Sequence, residues 1–231
     1  MLTPMVKMSD QNREASAYLM EHARRLNATH SRLSRYLTTG SSIAIIGLSS
    51  ADVILATKHP DIHFTFVLPD ANFRARTGLQ IPENGRELFA NLTEPLSDPR
   101  ELFDTIIFTE VLEHLMADDE LVLSNLYRLM NPGGRLIMSI PNAATFGNRA
   151  KLLMGYNIQW PKKRILRGPF GGYGHFREYT LKEIVQLLEP LFIIEEIRGV
   201  NGYRRGLSRL INVLPKTYAN TLLVIAQRRD T

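Results

Sequence analysis

The chain has 231 residues, 44% hydrophobic and 22% charged, which is enough to bury a sizeable core in one domain. It holds no cysteine, which excludes disulfides and thiolate metal sites and leaves oxygen and imidazole as ligands and bases. The net charge of +5 is uneven: residues 1–148 carry 13 basic and 17 acidic side chains and residues 149–231 carry 15 and 6, so the C-terminal third can attract phosphate, anionic glycans, nucleic acid or an anionic membrane surface.

From Asp10 to Leu37 the residues Leu19, Ala23, Leu26, Leu33 and Leu37 recur at helical spacing, so residues 1–39 read as an amphipathic helical extension closed by Gly40. Its charged residues exclude a signal peptide, and no apolar run reaches about 18 residues, so a soluble, cytoplasmic protein is expected. A main domain spans residues 40–231. It opens with the apolar run Ile43 to Ile46, the turn Gly47-Leu48-Ser49-Ser50 and a helix from Ala51 to Thr57. His63 to Leu68 predicts a second strand closing at Pro69-Asp70, and Glu87 to Leu92 a short third. Such alternation predicts a parallel sheet with crossover helices.

Thr105 to Phe108 has the composition of a strand buried on both faces. Helical pattern runs from Val111 through Met130 with a break near Ala117-Asp118-Asp119. Asn131-Pro132-Gly133-Gly134 predicts a turn, and Arg135 to Ile140 the next strand. A helix is expected over Ala143 to Met154, then a lid or acceptor loop over residues 155–179. Thr180 and Glu183 form a capping box for a helix through Leu188. Strands over Phe192 to Ile197 and Thr221 to Gln227 flank a basic insertion at residues 199–216.

The stretch FDTIIFTEVLEHLMADDELVLSNLYRLMNPGGRLIMSIPN, from Phe103 to Asn142, combines Glu110 to Leu115 (E-V-L-E-H-L), Leu123 to Leu129, Pro132 to Gly134 and Pro141-Asn142. It resembles the fourth strand, following helix and fifth strand of class I S-adenosylmethionine (SAM) dependent methyltransferases. The downstream GHFREYTLKEIVQLLEPLFIIEE resembles that family's H-x-R-x-[FY]-[ST] segment, helix and sixth strand. The resemblance implies a Rossmann-like α/β fold, with a mostly parallel seven-stranded sheet whose last strand is antiparallel. It also implies methyl transfer from SAM.

In that family the first strand ends in an acid and a G-x-G-x-G turn. Here Ile45 stands at the acidic position and only Gly47 of the glycines remains, with the small Ser49 and Ala51 at the others. The resemblance makes these three, Asp70 on the ribose hydroxyls, Asn91 on the adenine side and Glu110 the cofactor-binding residues.

If a helix begins at Glu110, then Glu110, Glu113 and His114 lie at i, i+3 and i+4 and can share one face. Two carboxylates and an imidazole at that spacing can ligate a divalent cation, with His175 as a fourth ligand or as the general base. Ubiquinone-type O-methyltransferases and small-RNA 3′-terminal 2′-O-methyltransferases use such a set with a metal. Because a sulfonium donor is already activated, a hydroxyl acceptor needs mainly orientation and loss of its proton, so a histidine suffices as catalyst. His175 is the first choice and His114 the second.

The acceptor-side segment is similar to that of methyltransferases acting on sugars, polyketides or envelope glycans. Trp160, Phe170, Tyr173 and Phe176 are candidate pocket walls, and Lys162, Lys163, Arg164 and Arg167 candidate phosphate binders. O-methylation of a small-molecule or glycan hydroxyl is therefore expected. Two alternatives stand beside it. One is a metal-dependent RNA 2′-O-methyltransferase. The other is a silent binding or regulatory protein, with Arg204, Arg205 and Arg209 facing a partner or membrane.

Overall fold

The computed structural model describes residues 30–31, 33–99, 101–159, 161, 174–200 and 215–230. In chain order the elements are β1 (Ile43–Ile46), α1 (Ser50–Lys58), β2 (Phe64–Leu68), α2 (Phe73–Thr77), β3 (Gly85–Phe89) and β4 (Phe103–Thr109). There follow a first 3-10 turn (Leu112–His114), α3 (Asp119–Arg128), β5 (Met130–Pro141) and α4 (Phe146–Leu153). The described chain closes with α5 (Leu181–Leu188), β6 (Phe192–Val200), a second 3-10 turn (Lys216–Tyr218) and β7 (Thr221–Arg228).

Seven strands form one sheet in the order β3-β2-β1-β4-β5-β7-β6. The pairs β3-β2, β2-β1, β1-β4 and β4-β5 are parallel. The last strand, β7, inserts antiparallel between β5 and β6. This is the expected α/β sheet.

The core explains why the central strands read as unbroken apolar runs. Alternate residues point to opposite faces. Ala44 and Ile46 of β1, Ile106 and Phe108 of β4, and Leu136, Met138 and Ile140 of β5 pack on one side with Val122, Leu123 and Leu126 of α3 and Ile184 and Leu188 of α5. Ile43 and Ile45, Ile107, Ile137, Leu223 and Ile225 face the other side, with Leu55 and Ala56 of α1. Leu33 and Leu37, the described end of the N-terminal extension, are buried in this second layer. Ile45 therefore serves the core where the family pattern has an acid.

Two asparagines, the half-buried Asn84 and the buried Asn125, tie the crossovers to the sheet. Asn84 Nδ2 donates to the carbonyls of Ala56, His59 and Ile62 at 2.8–3.0 Å. Asn125 Nδ2 donates to Leu92 O and Glu94 O, and its Oδ1 accepts from Leu96 N.

Several boundaries differ from the sequence reading. β3 runs from Gly85 to Phe89, so Asn91 lies beyond its end rather than inside it. The Asn131-Pro132-Gly133-Gly134 segment falls within β5. There the ladder with β4 shifts register and Gly133 takes φ +70°, so the turn residues make an irregularity in the strand instead of a separate connection. Residues 143–145 lie outside α4, because Thr145 is its cap and accepts from Asn148 N. Most of the N-terminal extension, Trp160, Lys162, Lys163, Arg164, Arg167, Phe170, Tyr173, Arg204, Arg205 and Arg209 lie outside the described residues.

Candidate active site

The carboxyl ends of β1, β2, β3 and β4 lie on one edge of the sheet, where an open α/β fold binds its ligands. At the end of β1, Gly47 has φ +87°, and its N–H donates to Val67 O at 2.9 Å. A Cβ added there would meet only Val111 Cγ2, at 4.0 Å. The turn thus keeps the left-handed backbone and the open space that close approach to a ligand requires.

Ser49 caps α1. Its Oγ and N–H both contact Asp52 Oδ2, at 2.6 and 2.9 Å, and Asp52 N donates back to Ser49 Oγ. Ala51 is buried behind them. Burial raises the Asp52 carboxyl to about 6, against the lowering effect of the Ser49 hydrogen bonds. Asp52 was not singled out in the sequence, although the S-x-x-D spacing of a capping box was there to find.

Asp70 follows β2 and is held by Arg76, whose Nη1 and Nη2 reach its two oxygens at 3.2 and 2.8 Å. Asn72 N donates to Oδ1 as well. The Arg76 hydrogen bond is the main reason its carboxyl titrates below the usual range. Asn91 sits near the end of β3, where its Oδ1 accepts from Thr93 N and Thr93 Oγ1.

At the end of β4 the chain turns sharply. Glu110 has φ +55°, the one non-glycine residue with positive φ among the described residues. Its N–H donates to Ser139 O, and its Oε1 accepts from Ser139 Oγ at 2.9 Å. The left-handed residue prevents a helix from starting there, so the expected helical face through Glu110, Glu113 and His114 does not form. In its place the 3-10 turn carries Glu113 inward, with its carboxylate fully enclosed, and leaves His114 half-buried.

That turn receives the segment around His175. Phe176 N donates to Glu113 O at 2.8 Å, and His114 Nδ1 lies 3.3 Å from Gly174 O. Tyr179 OH donates to Asp119 Oδ1 at 2.6 Å. Burial and this bond push the Tyr179 phenol far above its ordinary range. The imidazoles of His114 and His175 meet edge to face, with centroids 5.0 Å apart. His114 Nε2 is 3.7 Å from Glu113 Oε1, and His175 Nδ1 is 3.1 Å from Glu178 Oε1. Burial first, and the neighbouring His175 second, hold the His114 imidazole below its usual range.

Glu113, His114 and His175 each present one ligand atom within 4.8 Å of the others. Glu110 is outside that group and stays on Ser139. Three of the four expected metal-site residues therefore converge. Ligand atoms around one small divalent ion lie about 3.3 Å apart, and with its ligand atoms within 4.8 Å of one another this group has the donor types and nearly the spacing for such a cation.

A model of a methyltransferase domain family matches residues 46–136. A curated protein of Mycolicibacterium smegmatis described as a "Probable S-adenosylmethionine-dependent methyltransferase" is 32% identical over 112 residues, 48% of this chain and 36% of that protein. The chain thus spans about a third of that relative's length. Among solved structures, a SAM-dependent methyltransferase from Mesorhizobium loti superposes with a TM-score of 0.59 at 16% identity, over 90% of this chain and 98% of that one. The N-methyltransferase NodS of Bradyrhizobium japonicum, solved with S-adenosylhomocysteine, gives 0.51 at 16% identity over 88% and 87%. The strand order and these matches together give the chain the fold of SAM-dependent methyltransferases, with residues 46–136 similar to a methyltransferase domain.

Proposed function

We propose that the chain transfers a methyl group from SAM to a hydroxyl of a small-molecule or glycan acceptor. The observation that carries this reading is the pinning of His175 against Glu113 and His114, across 60 residues of sequence, at the carboxyl edge of β4. Bound at the Gly47 turn, SAM supplies a methyl group already activated on a sulfonium. The residues there fit it: Gly47 provides the open turn, Asp70 a carboxylate at the end of β2, and Asn91 an amide beyond β3.

A hydroxyl must lose its proton to attack, whereas an amine acceptor already offers a lone pair. The histidine pair favours the hydroxyl. With Glu178 accepting from Nδ1, His175 presents Nε2 as the basic nitrogen, in the manner of a carboxylate-oriented general base. His114, kept neutral by burial, can accept a hydrogen bond or ligate. Alternatively, a divalent cation held by Glu113, His114 and His175 would supply Lewis acidity toward the acceptor hydroxyl, and His175 Nε2 would then serve as a ligand instead of the base.

Calorimetric titration with SAM and S-adenosylhomocysteine, with and without Mg2+, Mn2+ or Zn2+, tests the reading. Heat and thermal stabilisation by the nucleosides are expected; their absence sinks it. His175→Ala should cut turnover by about a hundredfold or more. Glu113→Ala with His114→Ala should abolish any metal-dependent part.

A silent binding protein is the second reading, favoured by one observation: Asp70 is taken by Arg76, and Ser49 by Asp52. If these contacts merely compete with the cofactor, Arg76→Ala should tighten SAM binding about two- to fivefold. If the fold has lost the cofactor, neither the parent chain nor Arg76→Ala will bind it.

A further inference from the structure

Residues 174–179 form a strap laid over the turn at the end of β4. Its backbone makes three contacts. Phe176 N donates to Glu113 O at 2.8 Å, and Gly174 O lies 3.3 Å from His114 Nδ1. Tyr179 O accepts from Ala143 N at 2.9 Å, beside a parallel bridge between Tyr179 and Asn142 after β5. Within the strap, Glu178 meets His175 Nδ1. That contact turns the imidazole but cannot place the strap, since both residues move with it.

Placement falls to Tyr179. The residue is 1% exposed, and its hydroxyl donates at 2.6 Å to Oδ1 of Asp119, the first residue of α3. A hydrogen bond to a carboxylate is among the strong ones, and the high pKa of this phenol keeps it a donor. The Arg177 guanidinium lies 5.1 Å over the ring and reaches Glu183 Oε1 at 3.1 Å, while Glu183 caps α5 with Thr180. Tyr179 thus stands between the amino ends of α3 and α5, whose residues Val122, Leu126, Ile184 and Leu188 share one core layer. A phenylalanine would fill the same space. The hydroxyl adds direction, tying the strap to an element that the core already fixes.

We propose that Tyr179 and Asp119 are positioning residues, a clasp that holds the strap so that the His175 ring stays against His114 and Glu113. The proposal deepens the methyl-transfer reading and rests on it for the purpose of His175. NMR of the full chain, with neither SAM nor added metal, tests it. In the parent chain the two rings meet edge to face with centroids 5.0 Å apart, which should give an NOE between their protons. Tyr179→Phe keeps the ring and removes the hydroxyl. It should weaken that NOE and speed amide exchange at Phe176 about ten- to a hundredfold.

Asp119→Ala cuts the same bond from a half-buried position and should act alike, which keeps the test open should Tyr179→Phe not fold. Asp119→Asn still offers an oxygen to the phenol and should restore most of both signals. The proposal is overturned if the parent chain shows no NOE between the rings. It is equally overturned if the two cutting variants lower Tm yet leave the NOE and the Phe176 rate unchanged, since the bond then serves stability alone, or if Asp119→Asn behaves as Asp119→Ala. Neither readout needs SAM or an acceptor. The clasp can therefore fail while nucleosides still bind, and binding can fail while the clasp holds.

Discussion

The buried Asp52 and the half-buried His114 are two titratable groups whose ionisation pulls stability in opposite directions. Asp52, at about 6 when folded, holds its proton where the unfolded chain has lost it. Its stabilising contribution is complete below the ordinary carboxylate range and is lost as pH rises to about 6, a change on the order of 2–3 kcal/mol. Asp52→Asn keeps an oxygen to accept from Ser49 and should flatten that slope in urea melts between pH 4 and 7. His114 is depressed, so its contribution is complete above the ordinary imidazole range and is lost as pH falls through its folded value. Glu178 acts through His175. Glu178→Ala should lower turnover about 10- to 100-fold with little change in Tm, and Glu178→Gln should restore part of it, because the amide oxygen can still accept from Nδ1.

The elements follow local chemistry where that chemistry is strong. β1, β2 and β4 were legible because burial on both faces writes a continuous apolar run, and α5 because Thr180 and Glu183 close a capping box. β3 was misplaced because its sequence, GRELF, is only half-buried and carries two charges. What holds that region is Asn125, whose three hydrogen bonds join α3 to the chain after β3. Asn125→Ala strands those buried backbone groups and should cost about 2–4 kcal/mol, read from denaturant unfolding. Gly47→Ala forces a Cβ into φ +87° and should cost about 1–2 kcal/mol. It should weaken SAM binding more than it weakens the fold.

At the scale of the whole molecule, ligand linkage is the decisive measure. Saturation with S-adenosylhomocysteine at about 100 times its Kd should add about 2.7 kcal/mol to stability, seen as a concentration-dependent rise in Tm. Composition and periodicity alone determined the α/β class and the central strands. The motifs at Glu110 to His114 and at His175 to Thr180 added, through family resemblance, the expected superfamily, the seven-stranded sheet and the residues to watch. These signals survive in sequence because burial and capping act between near neighbours. Only the tertiary structure decided which of those residues meet. The left-handed turn at Glu110 directs its carboxylate to Ser139 and sends Glu113 inward. The hydrogen bonds Phe176 N to Glu113 O and Tyr179 OH to Asp119 bring His175 to His114 across 60 residues. No local pattern encodes such a meeting, because it depends on where distant backbone donors and acceptors come to lie once the sheet has formed.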